Sequence, residues 1–103
     1  MKVNVSSKVT SGLRSIAEKY PIQKIVIFGS RARGDNHPKS DIDVAVYSLP
    51  GLDQKGHIAC EIDDLETLLK IDIIFIDGFT DLKLLENIQK EGVVIYERLL
   101  TED

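Results

Sequence analysis

Three segments of the chain carry residue types that could do chemistry. Gly29-Ser30 stands directly after a short apolar run, residues 24–28 (KIVIF). Ten residues separate it from Asp41-Ile42-Asp43, and a third acid, Asp72, lies inside the apolar run 71–76 (IDIIFI). Side chains alternate along a strand, so Asp41 and Asp43 share one face while Ile42 and Val44 turn to the core. Two carboxylates held a few ångströms apart repel, and each raises the pKa of the other. Keeping both ionised calls for a cation, and magnesium, a hard ion, suits oxygen ligands. Two such ions can activate an attacking hydroxyl and steady the leaving oxygen in phosphoryl or nucleotidyl transfer. Asp72, between Ile71 and Ile73, is costly to bury unless paired or metal-bound. If its strand lies beside residues 41–47, it can join the same cluster as metal ligand, as general base toward an acceptor hydroxyl, or as both.

The segment between the Gly-Ser and the paired acids supplies a phosphate side. Gly29 permits close backbone approach and unusual φ values. Ser30 offers a hydroxyl and a backbone N–H, and Arg31 and Arg33 offer forked donors suited to phosphate oxygens. Arg31, directly after the serine, is the better placed of the two. Plainer readings stand beside these. The acids could be solvated groups on an edge strand, the arginines surface charges, and His37 an exposed loop residue before Pro38. Cys60, the single cysteine, has no supporting triad, and Tyr20, Tyr47 and Tyr96 read as packing residues. The combination is specific all the same. Gly-Ser, ten residues, then Asp-x-Asp arises by chance in roughly one in a thousand chains of this length.

Elements must hold these residues in place. Residues 7–20 show an apolar stripe of Val9, Leu13, Ile16 and Tyr20, which predicts a helix capped by Ser6 or Ser7 and ended by Pro21. Residues 24–28 read as a buried strand, 29–40 as a loop, and 41–47 as a second, alternating strand. Pro50-Gly51 is a turn. Ile58, Ile62, Leu65 and Leu69 predict a helix over 52–69, followed by a strand at 71–76. Thr80 or Asp81 can cap a helix running to Lys90, with Gly92 as its stop, before a last short strand at 93–96. The order is α-β-β-α-β-α-β. The first two strands are joined by too short a loop for a helical crossover, so they are expected to be antiparallel neighbours. A mixed sheet flanked by helices follows, an α/β (α+β) domain.

Composition bounds the rest. The chain has 103 residues, enough for one domain, 1–103, with 43% hydrophobic and 29% charged residues. The longest apolar runs are four residues, which excludes a membrane span, and neither an apolar leader nor a cysteine framework is present. A cytoplasmic protein is the natural reading. The net charge of −4 argues against general nucleic-acid binding. It is unevenly spread: residues 1–40 hold eight Lys/Arg against two Asp/Glu, and residues 41–103 hold five against fifteen. A basic loop thus faces an acidic remainder, which fits a metal-bridged triphosphate between them.

The stretch FGSRARGDNHPKSDIDVAV resembles the signature of the nucleotidyltransferase superfamily of DNA polymerase beta, most of all its minimal members of the MNT (MntA antitoxin) type. Asp72 matches the family's third carboxylate. The resemblance implies the nucleotidyltransferase fold, two Mg²⁺ on Asp41, Asp43 and Asp72, and ATP or another nucleoside triphosphate held by Gly29 and Ser30. It also implies a helical HEPN-type partner, whose tyrosine would receive AMP in a type VII toxin–antitoxin pair. Two rival functions stand beside this: a catalytic subunit acting on a small molecule such as an aminoglycoside, and a non-catalytic antitoxin acting by binding alone. A second chain, or a homo-oligomer, is expected to complete an acceptor site that 103 residues leave little room for.

Overall fold

The computed structural model describes residues 3–51 and 53–99. Eight elements follow in order: α1 (Ser7–Lys19), β1 (Ile22–Phe28), α2 (Ser30–Arg33), β2 (Ile42–Ser48), α3 (Lys55–Asp63), β3 (Ile71–Ile76), α4 (Leu82–Glu91) and β4 (Val93–Glu97). The four strands form one mixed sheet in the order β3-β2-β1-β4. β1 lies antiparallel to β2 and to β4, and β2 runs parallel to β3. The expected antiparallel pairing of the first two strands is therefore present.

Helix ends follow local chemistry. Ser6 Oγ accepts from Val9 N–H at 3.4 Å, and Asp81 Oδ2 accepts from Leu84 N–H at 3.1 Å. These side chains satisfy amides that a helix start leaves without partners. Gly92 ends α4, its N–H donating to Ile88 O at 2.8 Å.

Each face of the sheet has its own core. One face packs against α1 and α3 through Val9, Leu13, Ile16, Ile25, Ile27, Ile42, Val44, Val46, Ile58 and Ile62. The other, smaller core joins Val26 and Ala45 to Ile88 of α4, with Phe28, Ile74 and Leu84 around it. Strand alternation puts Asp43 on this second face, two residues before Ala45.

The structure departs from the sequence expectations at several boundaries. The segment 29–40, read as a loop, contains the short helix α2. The helix expected over 52–69 is only Lys55–Asp63, and the expected start at Leu52 lies outside the described residues. After Asp64 the chain turns and extends toward β3, with Leu65, Thr67 and Leu69 half-buried and Glu66, Leu68 and Lys70 exposed. A period of two thus serves the same leucines that helical spacing had suggested. β1 begins two residues earlier than expected, and β2 begins at Ile42, leaving Asp41 just outside the strand. Tyr20, read as a packing residue, packs against the core and also donates from its hydroxyl to the Glu61 carboxylate, which Lys19 meets at 2.5 Å.

Candidate functional site

Register brings two of the three acids side by side. Asp43 of β2 is the direct partner of Asp72 of β3, in a parallel pair running from Ile42↔Ile71 to Tyr47↔Ile76. Residues paired in this way point to the same face, with strands about 4.8 Å apart. On the other flank, Asp43 pairs with Phe28 of β1, the residue before Gly29. The carboxylates and the Gly-Ser therefore meet at one end of the sheet.

Gly29 adopts φ +78°, a conformation that side chains resist. A Cβ there would overlap the Asp43 carboxylate, lying 3.1 Å from its Cγ and closer still to Oδ2. Backbone and carboxylate thus share a space that only glycine leaves open. The Gly29 carbonyl accepts from Ala32 and Arg33 N–H at 3.1 and 3.0 Å, folding the chain at once into α2. Gly29→Ala is expected to destabilise the fold by about 1–3 kcal/mol through backbone strain alone. It should also displace Asp43, so a chevron or melting series and a nucleotide titration should both register the loss.

Electrostatics bind the acids into one group. Burial pushes the Asp43 carboxyl above its ordinary pKa, and the charges of Asp72 and Asp41 push it the same way. Arg33 pulls it back, and Glu91 adds a further push. Asp41 is exposed and lies one residue before β2, with its charge still felt by Asp43. Asp72 is half-exposed, its Oδ1 3.4 Å from Lys70 Nζ. Among the described residues, no three Asp, Glu, His or Cys side chains are gathered closely enough to hold a metal as they stand. The donor set nonetheless fits a hard divalent cation. It is all oxygen, and the repulsion raising Asp43 is the kind a cation relieves.

The arginines divide. Arg31 is 5% exposed. Its Nε donates to Ser40 O at 3.0 Å, Nη1 to Asn4 O at 2.7 Å, and Nη2 to Pro38 O and His37 O at 3.0 and 3.3 Å. This corrects its expected place as a phosphate ligand, because the guanidinium is spent on backbone carbonyls of Asn4 and of the loop leading to Asp41. Arg33 is exposed and reaches Asp35 Oδ2 at 3.1 Å and Glu91 Oε1 at 2.9 Å. Ser30 is half-buried, and its carbonyl takes the N–H groups of Gly34 and Asp35.

Glu91 and Asp35 are the residues that sequence reasoning missed. An acid in the last turn of a helix runs against the helix dipole, and that was the only signal Glu91 gave.

The family model described as Polymerase beta, Nucleotidyltransferase matches residues 12–99, so the chain belongs to that nucleotidyltransferase family. Among solved structures, it is similar to a toxin–antitoxin complex with AMP-PNP, at 22% identity and a TM-score of 0.64 over 86% of this chain and 73% of that one. It is also similar to a structure of a tri-AMPylated Shewanella oneidensis HEPN toxin in complex with an MNT antitoxin. That match has 19% identity and a TM-score of 0.59, covering 87% of this chain and 71% of the other. At such identities the likeness shows the shared fold. No curated protein matches the chain.

Proposed function

We propose that this chain moves AMP from ATP to a tyrosine of a helical HEPN-type partner, with release of pyrophosphate, as the antitoxin of a type VII toxin–antitoxin pair in the cytoplasm. The observation that carries the reading is the pairing of Asp43 with Asp72 beside the close contact between Gly29 and Asp43. Family membership supplies the reaction class. The fold is shared with complexes described as holding AMP-PNP and an AMPylated HEPN toxin, which supports the choice of nucleotide and acceptor. Among the described residues no helix is long and apolar enough to cross a membrane.

In this reading residues 1–103 act as one minimal nucleotidyltransferase domain. Asp41, Asp43 and Asp72 would hold Mg²⁺, two ions in all, which when bound offsets negative charge on the triphosphate. Gly29 and Ser30 hold the phosphates close to the sheet end, where a side chain at position 29 would intrude. Arg33 neutralises charge that builds on the leaving pyrophosphate. Asp72, half-exposed at the sheet's outer edge, accepts the phenolic proton as the tyrosine oxygen bonds to the α-phosphorus. The bond from that phosphorus to the pyrophosphate oxygen breaks in the same displacement.

The test combines ATP labelled at the α-phosphate, Mg²⁺ and the product of the gene adjacent to this one. Label is expected on a partner tyrosine, and none with the Asp41→Ala, Asp43→Ala double variant. Transfer that survives the double substitution would sink the reading. Neutralisation of the partner without any transfer would favour binding alone, and transfer to a small molecule without the partner would favour the other acceptor class.

A further inference from the structure

Resting on the nucleotide site just proposed, we infer that Glu91, at the end of α4, is a positioning residue that holds Arg33 in place to receive the triphosphate. Three observations carry this. Glu91 Oε1 accepts from Arg33 Nη1 at 2.9 Å, while Asp35 Oδ2 takes the Nε–H at 3.1 Å. The guanidinium is thus held from two sides, with the second Nη free of both carboxylates.

The fold brings Glu91 there deliberately. β4 pairs with β1 at Val93↔Ile27, so the residues just before Val93 lie level with Phe28 and Gly29. Gly92 lets the helix end press onto the sheet, since a Cβ there would stand 2.5 Å from Val26 Cγ1 and closer to Ile88 O. The end of α4 and the turn after β1 are therefore neighbours by strand register.

Local rules give no other reason for an acid at this position. The carboxylate sits in the last helical turn, where the dipole disfavours negative charge. It also adds to the charge that burdens Asp43. The Arg33–Glu91 pair is part-exposed, with the two side chains 45% and 26% accessible, and such pairs add little stability. A residue that breaks the helix rule and the site's charge balance for so little stability is explained by what it holds. A phosphate group arriving at Gly29 meets an arginine already extended along the turn, so less side-chain entropy is lost on binding.

The experiment titrates the protein with Mg²⁺ and a non-hydrolysable ATP analogue by calorimetry, beside thermal melts. Glu91→Ala is expected to weaken analogue binding by roughly three- to tenfold with the melt almost unchanged. Glu91→Gln, which keeps an acceptor, is expected to recover part of the loss. In the Arg33→Ala background, Glu91→Ala should cost nothing further, because its effect passes through Arg33. Binding unchanged in Glu91→Ala, or equal losses with and without Arg33, would overturn the positioning role while leaving the nucleotide site standing. A wild-type chain that binds no analogue overturns both.

Discussion

Asp43→Asn will reduce nucleotidyl transfer by on the order of a thousandfold and at the same time make the fold more stable at neutral pH. The loss follows from position. Asp43 is the acid that touches every part of the site, paired with Asp72, packed on Gly29 and coupled to Asp41 and Arg33. Asparagine has nearly the same shape but one fewer anionic donor, so the contact with Gly29 survives while the charge does not. The gain in stability follows from the same environment. Burial, then the charges of Asp72 and Asp41, raise the folded pKa of Asp43 above its ordinary value of 3.8. Above that raised value, Asp43 is ionised in both states and only the folded one carries the repulsion. As pH falls through it, the folded protein takes up the proton first, and the wild type recovers its deficit. The advantage of Asp43→Asn should therefore be full at neutral pH, shrink below the raised value, and be gone below about 3.8. Urea midpoints of both proteins across that range check this. An Asp43→Asn protein that is less stable than wild type at pH 7 would contradict the repulsion.

Arg31→Ala should have the largest effect on stability, about 3 kcal/mol or more. A buried guanidinium donates to four carbonyls, and its removal breaks all four bonds and leaves a cavity under the loop. For a domain of this size that is a fall in Tm of roughly 10–20 °C. Arg31→Lys should recover less than half, because one ammonium cannot reproduce the planar fork. The consequence for function is indirect. Ser40, whose carbonyl takes Arg31 Nε, precedes Asp41, so the loosened loop no longer fixes that acid. A melt distinguishes this from the phosphate role that sequence position alone suggests. A phosphate ligand would lose nucleotide affinity at unchanged Tm, whereas a loop clamp loses Tm first.

The contrast between the two arginines shows where sequence reasoning reaches. Arg31 and Arg33 differ by two positions in one turn, and by sequence Arg31, directly after the serine, is the better placed for phosphate. One is interior and the other exposed because α2 is a single helical turn. That turn points Arg31 back under the loop and leaves Arg33 outside. Nothing in GSRARG announces that turn, since four residues are too few for an apolar period to be read. The third helix failed for a related reason. Ile58, Ile62, Leu65 and Leu69 satisfy helical spacing, but the chain must leave the helix to enter β3 beside β2. Thr67 Oγ1 accepting from Leu69 N–H at 3.0 Å marks the turn that makes this possible. Tertiary geometry overrode a local pattern.

What the sequence by itself determined was the kind and order of the elements long enough to show a period, though not where α3 ends, the antiparallel step from β1 to β2, and the residue types available to the site. Those depend on contacts close in the chain, or on chemistry that no other residues supply. The pairing of Asp43 with Asp72, the burial of Arg31 and the arrival of Glu91 at Arg33 were decided by the tertiary structure alone. The partners in each are joined through sheet register or through the path of a loop. The pairs Asp43–Asp72 and Arg33–Glu91 are 29 and 58 positions apart in the chain. Local preference has no means of setting such distances. They are fixed only when four strands settle into one register and the helices close over both faces.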